Sequence, residues 1–385
     1  MHRFYLFTQR KIMKILHPQA KWFVSFAFTV LIAAGTFTGC ASHDNGTSPS
    51  DMQSSLNLIA ANGVNLGPAI AIQNSHTDEL LAIDGVIGTG TGLFTDGTPT
   101  IYILTNRDGV AGLPSSLEGI HTTIKNVGVI EAGIPSVDGG LGTRKLTDGI
   151  QAVGFTGQYR APMYSGVSVG NDKECAAGTI SCVVTKNGKK YLLSNNHVFA
   201  RVNAAKIGER IDQQGRYDAI PQCGVSGQVA SLSQYVPINF NRRALNTIDC
   251  AISEVTAGIN WTSQTPPEIA PAWQYTPSAT TMLASVGMNV MKTGRTTGFT
   301  TGQIAAINVT VNVSYGNGQT AKYVNQVYIN SPTFSAAGDS GSLIVEEVAA
   351  NPNPVALLFA GSATSTIANP IGDVLSALGV TIIPL

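Results

Sequence analysis

Charged residues are scarce in this sequence, and their signs cancel. Asp, Glu, Lys and Arg make up only 12% of the 385 residues, and 23 basic residues are matched by 23 acidic ones. A nucleic-acid-binding protein needs an excess of Lys and Arg to neutralise phosphates, so the composition argues against that class of partner. It also argues against a disordered chain, because apolar residues make up 43% of the sequence and can form a core.

Glycine, unlike the charged residues, is abundant in this sequence. The chain holds 41 glycines, which separate many short apolar runs. This mixture is typical of an all-β protein with many turns. The length predicts two domains, or one large β domain with an appendage.

The first 39 residues have the pattern of an export signal. They contain five basic residues, no acidic residue and an apolar run too short to span a bilayer, which needs roughly 20 residues. Small residues then precede Cys40, as at a bacterial lipoprotein processing site, so we expect lipidation of Cys40 and attachment to the cell envelope. An uncleaved signal anchor and ordinary secretion are the alternatives. Without this leader the chain holds 18 basic and 23 acidic residues, a net charge of minus five. The features of the leader are Arg3, Arg10, Lys11, Lys14, Lys21 and the run from Trp22 to about Ala34.

Four further cysteines follow the leader: Cys175, Cys182, Cys223 and Cys250. An even number in an exported protein predicts two disulfides, with three pairings open. A zinc site is disfavoured, because no His or second Cys lies at a short ligand spacing. We expect neither a metal nor a cofactor.

Composition divides the mature chain into four segments. They are a tether over 40–55, a small α+β domain over 56–132, a linker over 133–165 and a β domain over 166–385. The small domain is predicted to contain a helix around Glu79–Ile83 and strands at Gly85–Phe94, Thr100–Thr105 and Gly119–Ile130. Its GTGTG run could cradle a phosphate, but no helix follows it, so a glycine-rich strand is the better interpretation.

The β domain shows repeated strand and turn patterns. Asn187-Gly188 predicts a hairpin turn between two strands. A proline-rich stretch, Ser263–Pro277, could join two β halves. A closing helix is expected after Asn369 as its cap, with Gly379 as its end. The hairpin strands are Thr179–Thr185 and Lys189–Leu193.

Three short segments of the β domain carry candidate chemistry. His197 directly follows an apolar strand, Asp249 lies in an apolar run, and Ser340 stands in a Gly-Asp-Ser-Gly sequence. A serine hydroxyl needs a nearby imidazole to accept its proton and a carboxylate to orient that imidazole. The flanking glycines allow a sharp turn, and the N–H groups of Gly338 and Ser340 can then face a developing oxyanion.

The segment Gly287–Gly316, GMNVMKTGRTTGFTTGQIAAINVTVNVSYG, together with these three segments resembles the chymotrypsin-type serine peptidases. The similarity is to their bacterial branch, α-lytic protease and the streptogrisins, and to the family of the plant Narrow Leaf protein. It extends over roughly 166–385. It implies a mainly β fold of two six-stranded antiparallel barrels, over about 166–262 and about 280–385, with the active site between them.

The resemblance assigns a role to each candidate residue. His197 would be the general base and acid, Asp249 its orienting partner and Ser340 the nucleophile. Gly338 and Ser340 would form the oxyanion hole. A basic residue near the GRTTG sequence is expected to pair with Asp339, which predicts a buried Lys292–Asp339 ion pair; the alternative is that Lys292 is a solvated strand residue.

The sequence also departs from the family pattern at several places. Val198 replaces the usual cysteine after the histidine, so we predict the disulfides Cys175–Cys182 and Cys223–Cys250. The serine that normally supports the aspartate matches Ala360 or Ser362. Phe334 stands at the base of the first specificity pocket, and no acid lies from there to Ala337. An uncharged, small or apolar substrate side chain is therefore expected.

The leading hypothesis is an exported serine endopeptidase that acts on a protein or peptide. The alternative is a catalytically silent binding module with the peptidase fold. A serine esterase is the weakest hypothesis, since the GDSL-type order of Ser and His is reversed here and Ser342 interrupts the G-x-S-x-G elbow. The small N-terminal domain would be either a pro-region, which assists folding or blocks the cleft, or a permanent partner-binding domain.

Overall fold

The computed structural model describes residues 59–133, 155–159, 162–266 and 274–384. The predicted leader, Cys40, the tether and most of the predicted linker lie outside these ranges. Within them, each helix falls short of the length and hydropathy that a bilayer crossing requires.

The described chain is mainly β. Its helices are α1 (Gly67–Leu81), α2 (Asn196–Phe199) and α3 (Ile371–Leu378), and a 3-10 helix covers Arg216–Asp218. Its strands are β1 (Val86–Leu93), β2 (Pro99–Thr105), β3 (Ser116–Leu117), β4 (Ile120–Asn126), β5 (Ser168–Asn171), β6 (Gly178–Thr179), β7 (Val183–Lys186), β8 (Lys189–Ser194), β9 (Arg210–Gln213), β10 (Gly227–Tyr235), β11 (Ala251–Val255), β12 (Asn289–Gly294), β13 (Gly298–Gly316), β14 (Gln319–Asn330), β15 (Leu343–Glu346), β16 (Pro354–Gly361), β17 (Ser365–Pro370) and β18 (Thr381–Ile382).

The C-terminal strands form a closed barrel. They follow one another in the order β12-β15-β16-β17-β14-β13, and β13 pairs back with β12. Strand β13 has 19 residues, so its first part can pair with β12 and the rest with β14. The inward side chains form a continuous apolar core, which includes Val290, Ile304, Ile329, Phe334 and Ile344.

The preceding strands form a second curled sheet, in the order β18-β7-β8-β11-β10-β9-β5-β6. The stretch between β6 and β7 joins its two sides. There the Ile180 N–H donates to the Val167 carbonyl at 3.0 Å, and the Ser181 N–H donates to the Leu193 carbonyl at 2.9 Å. The two curled sheets are the double β-barrel that the resemblance implies, and this part of the expectation is confirmed.

The N-terminal segment contains one helix and four strands. Its strands continue the sheet of the C-terminal barrel, which is the second barrel in chain order. Strand β1 pairs antiparallel with β13 and places Gly88 opposite Val311. A Cβ atom on Gly88 would lie 2.7 Å from the Thr310 carbonyl oxygen, and one on Gly92 would lie 2.4 Å from the Ala305 carbonyl oxygen. The GTGTG run is thus glycine-rich because its backbone lies against β13. The division of the chain at 133–165 into separate domains stays a prediction.

Helix α1 begins twelve residues before the predicted Glu79. The periodicity was hidden because two of its four buried residues are polar: Gln73 and Thr77 face the sheet along with Ala69 and Leu80. Gln73 donates to Thr89 Oγ1 at 3.1 Å. Because polar residues occupy half of its buried face, the helix has no continuous apolar stripe, and the sequence pattern does not reveal its full length.

Two local signals correspond well to the structure. Asn187 and Gly188 have φ values of 51° and 75° between β7 and β8, as a primed hairpin turn requires. Helix α3 ends at Gly379, which has φ 65°. Its N-cap, however, is Pro370 rather than Asn369, because the Asn369 side chain is bonded to the backbone of Asp249.

Candidate active site

The imidazole of His197 lies at the end of β8, in the short helix α2. Its Nδ1 atom is 2.8 Å from Asp249 Oδ2, and its backbone N–H donates to Asp249 Oδ1 at 3.3 Å. His197 is 2% exposed and Asp249 is fully buried. Two contacts from one carboxylate to one residue fix the orientation of the ring and leave Nε2 as the atom that can accept a proton.

Asp249 is held by further polar contacts that sequence reasoning did not identify. The Tyr315 hydroxyl, from β13, donates to Asp249 Oδ2 at 2.7 Å, and the Asp249 N–H donates to Asn369 Oδ1 at 3.0 Å. Asn195 Nδ2 donates to the Asp249 carbonyl at 2.7 Å. A buried carboxylate is tolerated only when it is paired and hydrogen-bonded; His197 and Tyr315 meet that need, and the two asparagines fix the Asp249 backbone.

Tyr315 takes the role that was expected of a serine at Ala360 or Ser362. Ala360 is buried in an apolar cluster and offers no hydroxyl, and the Ser362 N–H donates to the Ser365 carbonyl at 2.8 Å. Burial, and then the neighbouring Asp249, raise the pKa of Tyr315 well above its ordinary value. Tyr315 therefore stays protonated and keeps donating to the carboxylate.

The loop that carries Ser340 is fixed from both barrels. The Thr179 N–H donates to the Ser340 carbonyl at 2.8 Å, and the Gly341 N–H donates to the Leu358 carbonyl at 2.9 Å. Gly341 has φ 96°, and a Cβ atom there would lie 2.2 Å from the Thr179 carbonyl oxygen. Only glycine fits this position, which explains the residue that follows Ser340.

The Ser340 hydroxyl faces a carbonyl of the N-terminal segment. Its Oγ donates to the Gly133 carbonyl at 3.3 Å, and the Gly338 N–H, where φ is 98°, donates to the same oxygen at 3.3 Å. Among the described residues, His197 Nε2 has no hydrogen-bond partner. The structure thus brings His197 and Asp249 into a bonded pair, while the serine hydroxyl is engaged by Gly133.

Lys292 and Asp339, for which the family resemblance implies a buried ion pair, lie together in the interior. Their Nζ and Oδ2 atoms are 3.6 Å apart, and both side chains are fully buried. Asp339 also accepts hydrogen bonds from the N–H groups of Thr296, Thr297 and Ala336 at 2.8, 3.1 and 2.9 Å. Burial lowers the pKa of Lys292, and Asp339 opposes that shift. The pair and these donors anchor the residue directly before Ser340.

A second buried ion pair joins the two barrels beside this loop. Arg295 Nε donates to Asp218 Oδ2 at 2.8 Å, and its guanidinium stacks over Tyr217 at 5.5 Å from the ring centre. Asp218 Oδ2 also accepts the Ser168 hydroxyl at 2.6 Å. Arg295 belongs to the GRTTG sequence, so this sequence positions both Asp339 and the neighbouring barrel.

Residues 277–369 match the family model described as the Nal1 C-terminal domain. A curated relative, glutamyl endopeptidase 2 of Streptomyces griseus, is 39% identical over 102 residues, which cover 26% of this chain and 50% of that protein. The chain therefore spans about half the length of this relative. It resembles the chymotrypsin-type serine peptidases.

Solved structures of such peptidases also align with the chain. Thermobifida fusca protease A is 16% identical with a TM-score of 0.41, over 58% of this chain and 100% of that one. Cellulomonas bogoriensis chymotrypsin is 17% identical with a TM-score of 0.39, over 58% and 98%. A glutamic acid specific serine protease is 22% identical with a TM-score of 0.41, over 57% and 100%.

The disulfide pairings predicted for this peptidase-like chain are wrong. Cys175 pairs with Cys223, their Cα atoms 5.1 Å apart, whereas Cys182 and Cys250 are free and buried. Both free thiols lie in one apolar core cluster, and burial raises the pKa of Cys182 to about 12. A thiol with that pKa is a packing group and forms no thiolate near neutral pH.

Phe334, expected at the base of the specificity pocket, is fully buried in the core of the second barrel. Its carbonyl accepts the Thr300 hydroxyl at 2.7 Å, and its ring lies 6.0 Å from Lys292 Nζ. The ring thus packs in the barrel core beside Lys292, and the described structure does not show it lining a pocket. In the described part of the chain, no group of three or more His, Cys, Asp or Glu residues could hold a metal ion.

Proposed function

We propose that the protein is a serine endopeptidase with His197, Asp249 and Ser340 as its triad. The observation that carries this proposal is the buried His197–Asp249 pair at 2.8 Å beside a serine whose Oγ, together with the Gly338 N–H, contacts one peptide carbonyl. Acyl transfer needs N–H donors at the carbonyl oxygen and a nucleophile that can reach the carbon of the same carbonyl group, and Gly338 and Ser340 both lie beside such a group.

The reaction would follow from the properties of these groups. His197 Nε2 accepts the Ser340 proton as Oγ attacks the substrate carbonyl carbon, and Asp249 stabilises the resulting imidazolium. The Gly338 N–H stabilises the oxyanion. His197 then donates the proton to the leaving amine, and an acyl-enzyme remains, which water hydrolyses with His197 as base.

Rotation of the Ser340 hydroxyl away from Gly133 is required for this sequence of steps. Oγ donates to the Gly133 oxygen in the structure, and His197 Nε2 stands ready as an acceptor without a partner among the described residues. Oγ also lies 3.5 Å from the Phe359 carbonyl oxygen, and the movement the proposal requires is a rotation between staggered positions about one single bond.

Labelling with a fluorophosphonate probe tests the proposal. The wild-type protein should be labelled, and Ser340→Ala should lose the label and nearly all peptide hydrolysis. Ser376→Ala, at an exposed position of α3, is the matched control and should behave as the wild type. A folded wild-type protein with an open cleft that takes no label would favour the silent binding module instead.

We also propose that the protein is exported, either lipidated at Cys40 or secreted. The basic and apolar pattern of residues 1–39 and the small residues before Cys40 support this. Mass spectrometry of the protein purified from membranes should find residue 40 as its N-terminus, with a mass increase for attached acyl chains. A soluble protein in the medium with unmodified Cys40 would point to secretion.

A further inference from the structure

A small polar cavity lies where the two barrels meet. Its volume, measured as the space that the centre of a water molecule can reach, is about 10 Å³. Ser165, just before β5, and Ser181, between β6 and β7, line it from the side of the first barrel. Thr293 in β12 and Leu343 in β15 line it from the second barrel. The cavity is therefore shared by both barrels.

The stretch that joins the barrels also borders this cavity. It is the proline-rich stretch Ser263–Pro277, and four of its residues belong to the lining. Its described ends are bonded to each other, because the Thr265 N–H donates to the Tyr275 carbonyl at 3.1 Å. They are also bonded to the first barrel, since the Ser165 N–H donates to the Gln264 carbonyl at 3.0 Å. Three parts of the chain thus meet at the cavity: the two barrels and their connection.

Two hydroxyl groups of the lining have no hydrogen-bond partner among the described residues. They are Ser165 Oγ and Ser181 Oγ, and the two residues are 4% and 2% exposed. The Ser181 hydroxyl lowers the pKa of the neighbouring Cys182 thiol against the larger effect of burial, but a thiol is only a weak hydrogen-bonding group. A buried hydroxyl without a good partner is destabilising. Two such groups at one cavity indicate a ligand that bonds both of them.

Thr265 supplies a third polar group at the cavity. Its Oγ1 accepts the Tyr275 N–H at 3.2 Å, and a hydroxyl that accepts one hydrogen bond can also donate one. Other hydroxyls of the lining are engaged elsewhere, since Ser263 Oγ donates to the Ile383 carbonyl at 2.6 Å and the Tyr275 hydroxyl bonds Thr293. A buried water typically makes about three hydrogen bonds, and Ser165, Ser181 and Thr265 together offer that number.

Charge and size restrict the chemical class of the ligand. The nine described residues of the lining are uncharged, and burial raises the pKa of Tyr275 to about 12, so its phenol is neutral near pH 7. An ion would lose its hydration there without a partner of opposite charge. An apolar ligand would leave both serine hydroxyls without a hydrogen bond. One water requires roughly 10–15 Å³ of such space, so the cavity suits a single water and nothing larger.

We propose that this cavity is the binding site of one structural water, which hydrogen-bonds Ser165, Ser181 and Thr265. The water joins the first barrel to the connection between the barrels, at the surface of the second barrel. Leu343 begins β15 three residues after Ser340, so the site adjoins the segment that carries the candidate nucleophile. The water is part of the folded structure, and its binding does not depend on the activity of Ser340.

A crystal structure of the wild-type exported protein tests the site directly. Electron density for one water should lie within about 2.5–3.2 Å of both Ser165 Oγ and Ser181 Oγ. A protein side chain or an ion at that place would overturn the proposal, and so would a cavity without density at a resolution that shows other buried waters.

Replacement of each serine by alanine tests the same site through the sign of the effect on stability. If the hydroxyl bonds the water, Ser165→Ala and Ser181→Ala each lose a hydrogen bond and should lower the urea midpoint of unfolding. If the hydroxyl has no partner, the alanine removes an unsatisfied buried group and should raise the midpoint. Ser376→Ala, at an exposed position of α3, is the matched control and should leave the midpoint unchanged. A raised or unchanged midpoint in both buried variants would contradict the proposal.

The double variant Ser165→Ala/Ser181→Ala tests whether both hydroxyls bond one water. Its loss of midpoint should be smaller than the sum of the two single losses, because the first replacement already weakens the binding of the water. Additive losses would mean that the two serines act separately and would overturn the shared site. The wild-type crystal structure decides the proposal even if a variant does not fold.

Discussion

The hydroxyl of Tyr315 donates a 2.7 Å hydrogen bond to the same Asp249 oxygen that faces His197 Nδ1. Tyr315 in turn lies 2.6 Å from the Tyr323 hydroxyl. We expect Tyr315 to act as a positioning residue, because it bonds the carboxylate that orients the imidazole.

Tyr315→Phe should lower kcat about 10- to 100-fold and leave KM nearly unchanged. A hydrogen bond to a charged group is worth about 1.5–3 kcal/mol, and each 1.4 kcal/mol corresponds to about tenfold in rate. The control is Tyr323→Phe, which keeps the bond to Asp249 and should lose far less activity. Steady-state kinetics on a fluorogenic peptide substrate measure both, and a rise in KM with kcat unchanged would contradict a positioning role.

Lys292→Met should lower the free energy of unfolding by about 3–5 kcal/mol, because it leaves the Asp339 carboxylate buried without its cation. Lys190→Met, at an exposed position of β8, is the matched control and should change stability little. Urea unfolding followed by fluorescence measures both variants. In the double variant Lys292→Met/Asp339→Asn, the loss should be smaller than the sum of the single losses; simple additivity would mean that the two groups do not interact.

Replacement of both Cys175 and Cys223 by Ser should reduce the free energy of unfolding by about 2–4 kcal/mol, as measured by urea unfolding, since the bond closes a loop between residues 48 apart in sequence.

In a chain that keeps this disulfide and carries Cys40→Ser, a thiol reagent should find no reactive cysteine in the native state and two after unfolding. The two are Cys182 and Cys250, which are buried. Rapid native modification of either thiol would contradict their packing in the core.

Glu131, whose backbone exchanges two hydrogen bonds with Gly361, should make the stability of the folded chain depend on pH. Burial raises the pKa of this half-buried carboxyl, so the folded chain binds a proton more tightly than the unfolded chain does. Stability from this group is then fully present below the ordinary glutamate pKa, about 4.3, and is lost as the pH rises through the raised value.

The comparison that tests this uses the Ser340→Ala chain, in which the proposed nucleophile is absent, with and without Glu131→Gln. The difference in unfolding free energy should grow in favour of the chain that carries Glu131→Gln as the pH rises from about 4 to 7, because the amide does not ionise. Glu347→Gln, at an exposed position, should show no such trend. A constant difference across this range would mean that the Glu131 carboxyl is solvated equally in both states.

Local signals in the sequence located several strands and the three chemical segments, but the run Thr179–Thr185, expected as one strand, is divided between β6 and β7. The Asn187-Gly188 turn lies where its backbone preference places it, and His197, Asp249 and Ser340 each stand at or near the end of a β run that could be recognised from alternating or continuous apolar residues. Lys292 and Asp339 were paired through the resemblance of the GRTTG sequence to a known family, and they lie 3.6 Å apart.

Contacts between residues distant in sequence escaped prediction. Tyr315 lies 66 residues from Asp249, and nothing about an alternating strand marks which of its side chains will meet a carboxylate. Asn369 had the pattern of a helix cap and instead bonds Asp249. The cysteine pairing failed for a similar reason, because four cysteines permit three pairings and only the relative placement of loops and strands selects one.

By itself, the sequence determined the mainly β architecture, the order of the candidate triad and the charge-poor composition, since these depend on local patterns and residue chemistry. Only the tertiary structure decided that Gly133, 207 residues before Ser340, lies at the nucleophile. Segments without a strong pattern find their position through backbone hydrogen bonds to strand edges, and those bonds carry no sequence signature.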